Sequence, residues 1–162
     1  MKPRPGRKNV RKPWAGRFTQ STDPTAERFT GSLAFDRRLW PWDITGSVAW
    51  AKALGRAGLL TASERDTIVR GLDAVREELA TGTFPFRPEL EDIHTNVERR
   101  LHDLVGDVAG KLHTGRSRND QIALDERLYL RDVVGRTLAG LRGAQEALLA
   151  RAADTVDTPM PG

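Results

Sequence analysis

Residues 119–154 read NDQIALDERLYLRDVVGRTLAGLRGAQEALLARAAD and contain no proline. Apolar residues recur in this stretch at helical spacing, which predicts one long helix, on the order of 50 Å at about 1.5 Å per residue. A globular unit built from the preceding residues, with a radius of gyration of about 13 Å, covers only one end of such a helix. The apolar residues also lie on more than one face, as in the helices of a bundle. We therefore expect the helix to pack against other subunits or against sequence beyond Gly162.

Three shorter helices are predicted before it, over about residues 43–54, between Thr61 and Gly82, and over about residues 91–105. Thr61 and Glu64 match the capping-box pattern of a helix start, and Gly82 is typical of the position just past a helix end. The core-facing residues predicted for the last two helices are Ile68, Val69, Leu72, Val75, Leu79, Ile93, Val97, Leu101 and Leu104. No segment shows the sustained alternation of a strand, so we predict an all-α protein.

The stretch 111–121, KLHTGRSRNDQ, combines cationic, hydroxyl and amide side chains in a glycine-containing turn just before the long helix. The first turn of a helix leaves backbone N–H groups unpaired and carries about half a positive charge, which favours a bound anion. Arg118 can hold a carboxylate through two hydrogen bonds, and Ser117 and Asn119 supply further donors. This pattern predicts a carboxylate-binding site. The same residue types are common at helix starts, so a simple helix cap with solvated arginines is the alternative.

The composition narrows the class of protein. A chain of 162 residues with 38% hydrophobic residues can bury the core of one domain, and no apolar run approaches the roughly 20 residues that cross a bilayer, so we expect a soluble protein. The absence of cysteine excludes disulfides and thiolate chemistry in this chain and is compatible with a cytoplasmic location. His94, His102 and His113 lack the spacing of zinc ligands on a helix, so no metal site is predicted.

The net charge of +4 comes from the beginning of the chain. Residues 1–14 hold several lysines and arginines and no acid, whereas acidic residues slightly outnumber basic ones in the rest. Because the same residues include prolines and a glycine, we predict a disordered basic tail over residues 1–13. An arm that binds nucleic acid weakly is the less favoured alternative.

Four stretches together resemble the argininosuccinate lyase family. They are WAGRF at 14–18, SLAFDRRL at 32–39, EDIH at 91–94 and the KLHTGRSRNDQ block at 111–121. Their order and spacing also match, and the resemblance extends from about Trp14 to Gly162. Fumarase, aspartase and adenylosuccinate lyase share the fold but carry different versions of the last block, so they are less similar.

This resemblance implies an all-helical homotetramer whose central bundle contains long helices from four subunits, with active sites shared between chains. It also implies an activity, the reversible cleavage of argininosuccinate to arginine and fumarate in the last step of arginine biosynthesis, without a metal or an organic cofactor. In that reaction a base removes the proton beside a carboxylate, and preorganised donors hold the carbanion that forms.

The residues that match substrate-contacting positions of the family are Ser32, Ser117, Arg118 and Asn119. Ser32 also suits a helix or turn cap. The residues expected in supporting roles are Asp92, His94 and Thr114. The family's catalytic histidine and the loop with its serine base correspond to positions beyond Gly162, so the resemblance implies no catalytic residue in this chain.

We therefore predict three segments. They are the basic tail over 1–13, an N-terminal helical lyase domain over 14–115, and the first long helix of the central bundle over 116–162. Because family members are much longer, we expect this chain to be an N-terminal portion and to lack activity alone. The alternatives are a structural role like that of the related lens crystallins, or a helical interaction module with a basic arm.

Overall fold

The computed structural model describes residues 23–159, so the basic tail, the WAGRF stretch and residues 160–162 lie outside the described part. The α-helices within it are α1 (Pro24–Thr30), α2 (Leu33–Asp36), α3 (Trp40–Arg56), α4 (Ala62–Thr81), α5 (Ile93–Val105) and α6 (Arg118–Asp154). The 3₁₀ segments are Arg37–Leu39, Pro88–Leu90 and Gly106–His113. Residues 23–159 contain no strand, which confirms the prediction of an all-α fold.

Both ends of α4 follow from local sequence, as predicted. Thr61 Oγ1 accepts a hydrogen bond from the N–H of Glu64 at 3.2 Å, and the Glu64 carboxylate accepts one from the N–H of Thr61 at 2.9 Å. These two bonds form a capping box, which satisfies N–H groups that the helix itself leaves unpaired. At the other end Gly82 has a φ of 74°, a left-handed conformation that glycine adopts without strain.

Helix α5 begins at Ile93 rather than at the predicted Glu91. The reason is that Asp92 is its N-cap, and the Asp92 carboxylate accepts the N–H of Thr95 at 2.6 Å. The prediction that Leu104 faces the core is wrong, because this side chain is 40% exposed. Val105 packs against the core at that end of the helix instead.

Helices α3, α4 and α5 pack around one apolar core. Its largest fully buried apolar side chains are Ile44, Ile68, Leu72, Ile93, Leu101 and Leu112. Leu112 comes from the 3₁₀ segment Gly106–His113, which packs on α4 and α5. The buried Leu112 therefore anchors the start of the 111–121 block to the core.

Only the first part of α6 packs on this core. Gln121 and Asp125 are its buried residues, and Trp42 of α3 meets Tyr129 edge-on with ring centroids 5.0 Å apart. Farther along, six large apolar side chains are more than half exposed, as the spread of apolar residues predicts. They are Leu130, Val134, Leu138, Leu141, Leu148 and Leu149. None of the described helices combines the length and the hydropathy needed to cross a membrane.

Replacing Gly71 with alanine tests the close approach of α4 and α5. The added Cβ would lie 2.6 Å from Leu101 Cδ1 and 2.7 Å from Val105 Cγ1, which is too close for unchanged packing. In the 162-residue chain we expect the free energy of unfolding to fall by about 1–3 kcal/mol, as measured by urea denaturation. Gly140→Ala is the matched control in a helix interior, where the added Cβ meets nothing within 4 Å. It is expected to raise the same quantity by up to about 1 kcal/mol, and equal effects of the two changes would contradict the packing.

Candidate functional site

Ser117 is the N-cap of α6. Its Oγ accepts a hydrogen bond from the N–H of Asn119 at 3.2 Å, so the helix-cap interpretation of this residue is confirmed. Ser117, Asn119 and Thr114 are exposed, and within residues 23–159 the Asn119 side-chain amide makes no hydrogen bond. The cap leaves other N–H groups of the first turn and the Asn119 amide available to a ligand.

The Arg118 side chain is partly buried and already engaged. Its Nη1 donates to Gln121 Oε1 at 2.6 Å, and its Nη2 donates to Glu98 Oε2 at 2.8 Å. A guanidinium has five N–H donors, so this geometry leaves donors for a ligand but fixes the plane of the group. Arg118 thus belongs to an ion pair within the chain, which the sequence pattern did not predict.

The Glu98 carboxylate of α5 lies close to three basic side chains of the 111–121 block. In addition to Arg118, the His113 Nδ1 lies 3.1 Å from Glu98 Oε1, and Arg116 Nη2 lies 3.9 Å from the same oxygen. Gly115 makes the turn between these residues, with a φ of 65° that favours glycine. One carboxylate therefore gathers His113, Arg116 and Arg118 onto one side of α5, and the block retains more positive than negative charge.

Ser32 lies at the N-cap position of α2, but its hydroxyl does not cap the helix. Instead its Oγ donates to Asp36 Oδ2 at 2.5 Å, and Asp36 Oδ1 accepts the N–H of Ile93 at 3.1 Å. Burial raises the pKa of Asp36 above its usual 3.8, against the opposing effect of the Ser32 hydrogen bond. These bonds join Ser32 directly to the start of α5, which carries Asp92 and His94.

Glu91 has an unusual backbone conformation that serves the same junction. Its φ of 72° and ψ of −47°, with the N–H of Asp92 donating to Leu90 O at 2.9 Å, form a γ-turn of the rare positive-φ type. The Glu91 carbonyl oxygen accepts the N–H groups of both Ser32 and Leu33, each at 2.9 Å. The strained turn therefore aims a carbonyl at the first residues of α2 and holds Ser32 in place.

His94 is buried, at 2% exposure, between two acids from other helices. Its Nδ1 lies 3.5 Å from Asp43 Oδ1 of α3 and 3.4 Å from Asp125 Oδ2 of α6. Both acids are 0% exposed, and Gln121 Nε2 donates to Asp43 Oδ1. Asp43, His94 and Asp125 are called the buried triad below. Through Gln121 the triad is linked to Arg118, and through Asp36 Ser32 is linked to the start of α5, which carries Asp92 and His94.

The environment shifts the pKa values of the two acids of the buried triad in opposite directions. Burial raises the pKa of Asp125 to about 7, and the negative charge of Asp43 adds to this effect. For Asp43, burial acts in the same direction, but contacts with His94 and Gln121 outweigh it and lower its pKa below 3.8. For His94, burial acts to lower the pKa, but the contact with Asp43 outweighs it and raises the pKa above 6.5. Between about pH 4 and pH 6.5 the favoured state is thus ionised Asp43, protonated His94 and protonated Asp125.

The buried triad is also the set of residues that could hold a metal ion, because one ligand atom from each lies within 4.8 Å of the others. The guanidinium of Arg116, whose side chain is only 7% exposed, adds a positive charge at the same place and disfavours a second cation. The spacing of the histidines along the chain did not indicate this group, because its ligands come from three helices. The feature of the sequence that could have indicated this group is an acid on the core-facing side of a helix, such as Asp125 one turn after Gln121.

Two substitutions at Glu91 test the strain in the γ-turn. Glu91→Ala and Glu91→Gly both remove the side chain, but only glycine relieves the clash of Cβ at positive φ. We expect the glycine variant of the 162-residue chain to have the larger free energy of unfolding, by about 1–3 kcal/mol in urea denaturation. A more stable alanine variant would show that the positive φ is not strained.

Comparisons of the sequence with known proteins identify its family. A family model described as "Lyase" matches residues 16–162. The chain is 51% identical to an argininosuccinate lyase of Syntrophotalea carbinolica over 152 residues, which is 94% of this chain and 33% of the relative. It is 52% identical to one of Alkalilimnicola ehrlichii over 149 residues, which is 92% of this chain and 32% of the relative. The chain spans about a third of the length of the curated relatives it matches. It belongs to the lyase family that this model describes.

Proposed function

We propose that the protein containing this chain is an argininosuccinate lyase, which eliminates fumarate from argininosuccinate reversibly and leaves arginine. The observation that carries the proposal is the donor block at the start of α6, held against α5 and α3 in a chain that is 51% identical to proteins of that name. We further propose that the enzyme is cytoplasmic and that the reaction needs no metal or organic cofactor.

The proposed chemistry explains the residue types of the donor block. A C–H bond beside a carboxylate is a very weak acid, so negative charge that develops there must meet donors already in position. The start of α6 offers unpaired N–H groups and the positive end of the helix dipole. Ser117 and Asn119 add exposed polar groups, and Arg118 adds a guanidinium whose plane Glu98 and Gln121 fix. These residues are proposed to bind the carboxylates of the substrate, with Thr114 supporting the turn.

Ser32 is also proposed to contact the substrate. Its support is the set of bonds that holds it: Asp36 orients the hydroxyl, and the Glu91 carbonyl holds the backbone. Asp92 and His94 are proposed to act as supports, because Asp92 caps α5 and His94 lies in the buried triad rather than at the surface. The proton-abstracting base is proposed to come from other parts of the protein.

The exposed part of α6 supports an assembly. More than half of the surface of Leu130, Leu138 and Leu148 is open to solvent, and leaving such side chains exposed forfeits about 1.5–3 kcal/mol each. We propose that this face packs in the central bundle of a homotetramer, which also brings segments of neighbouring subunits to the donor block. For this reason the 162-residue chain alone is expected to be inactive.

The Asn119→Ala variant tests the donor block in the full-length protein, whose turnover is followed by the release of fumarate from argininosuccinate. Removing one donor to developing charge is expected to lower kcat by about 10²–10³-fold. The thermal unfolding midpoint is expected to stay unchanged, because the Asn119 amide makes no hydrogen bond within residues 23–159.

The control is Asp73→Ala, which replaces an exposed acid on α4 and is expected to leave kcat at the wild-type value. A full-length wild-type protein without argininosuccinate turnover would overturn the proposed function. An active protein with unchanged kcat in Asn119→Ala would keep the function and remove Asn119 from the site.

A further inference from the structure

The buried triad stands out among the groups that the proposed reaction does not use directly. Asp43, His94 and Asp125 come from α3, α5 and α6 and are 0–2% exposed. Asp43 Oδ2, His94 Nδ1 and both carboxylate oxygens of Asp125 have no hydrogen-bond partner within the described part of the chain. Buried polar atoms without partners are costly, so protons and charges must compensate one another inside this cluster.

The charges around the triad favour a proton rather than a cation. Arg116 lies beside both acids, and the side chain of Arg116 donates to Ser47 Oγ at 3.3 Å, one turn after Asp43 on α3. Other charged groups that act on the triad or on Arg116 are Asp36, Asp92, Glu98 and Arg118. With His94 and Arg116 both positive, a further divalent ion would meet strong repulsion, whereas a proton on one acid removes the repulsion between the two carboxylates.

The carboxyl group of Asp125 is closely packed between α6 and α3. A Cβ added at Gly46 would lie 3.4 Å from Asp125 Oδ1 and 3.2 Å from Leu124 Cδ2, so the Asp125 carboxyl group lies against the backbone of α3. One oxygen of Asp43 and one of Asp125 lie within 4.8 Å of each other, so two ionised carboxylates would repel each other and push the start of α6 away from α3. The protonation of Asp125 therefore affects the distance between the two helices.

A chain of hydrogen bonds connects the triad to the donor block. Asp43 Oδ1 accepts from the Gln121 amide, and Gln121 Oε1 accepts from Arg118 Nη1 at 2.6 Å. The negative charge on Asp43 orients the Gln121 amide, which in turn presents its oxygen to Arg118. The plane of the Arg118 guanidinium thus depends on the state of a group that the substrate never touches.

We propose that the buried triad positions the donor block by keeping a proton on Asp125 beside the ion pair of Asp43 and His94, so that the start of α6 stays against α3. This role rests on the proposed lyase function, and it makes Asp125 a positioning residue rather than a catalytic one. The pKa of Asp125 is raised from 3.8 to about 7. Its contribution to folding stability is therefore fully present below about pH 4 and is lost as the pH rises toward 7.

Asp125→Asn and Asp125→Ala in the full-length protein test the proposal, because asparagine imitates the protonated acid and alanine does not. We expect Asp125→Asn to keep a kcat/KM for argininosuccinate close to the wild-type value below pH 7. Asp125→Ala is expected to lose about 10²-fold, through misplacement of the donors. The wild-type KM is expected to rise as the pH passes through 7, and the KM of Asp125→Asn is not. Asp73→Asn, which changes an exposed acid on α4, is the matched control and should behave as wild type.

Infrared spectroscopy gives a measurement that does not depend on activity. The wild-type protein is expected to show the C=O band of a protonated buried carboxylic acid at pH 6, which titrates near pH 7 and is absent in Asp125→Asn but present in Asp73→Asn. If the protein proves not to be a lyase, this band still tests the proton on Asp125.

Three results would overturn the proposal. They are the absence of the band in wild type, equal losses of kcat/KM in Asp125→Asn and Asp125→Ala, and a stoichiometric divalent metal whose removal by a chelator abolishes activity. The last result would identify the buried triad as a metal site instead.

Discussion

A charge buried in a protein interior must be compensated locally, and this constraint governs the junction of α3, α5 and α6. Asp43 is completely buried, so the fold must supply it with His94, the Gln121 amide and the nearby guanidinium of Arg116. His94 comes from α5, whereas Gln121 and Arg116 both belong to the 111–121 block at the start of α6. Compensating one carboxylate thus sets where α5 and α6 lie relative to α3, and with them the start of the long helix.

The same groups serve structure and the proposed binding function. Ser117 caps α6, while the helix start that it caps is the proposed anion site. Glu98 pairs with Arg118 within the chain, which keeps the guanidinium ordered but also means that an incoming carboxylate must share or replace this partner. Glu91 accepts a strained backbone so that its carbonyl can hold Ser32. Preorganisation of this kind is what a site for developing negative charge requires.

Only the first part of the long helix packs against the rest of the described residues. Its first turns are held by buried polar contacts, whereas Leu138, Leu141 and Leu148 farther along are exposed. A helix of 37 residues whose later turns expose large apolar side chains gains most of its stability from packing against other helices. The bundle proposed above would supply these neighbours.

Local sequence determined the helices of this protein, because caps and periodicity act within a few residues. Thr61, Glu64 and Gly82 predicted the ends of α4 correctly, and the absence of proline after Asn119 predicted the long helix. The sequence also marked the 111–121 block as a cluster of donors. Only the tertiary structure decided that Leu104 faces outward and that Asp43, His94 and Asp125 meet, because these outcomes depend on how three helices pack. Charge pairing between residues far apart in the chain has no local pattern, so it becomes visible only when the helices are in place.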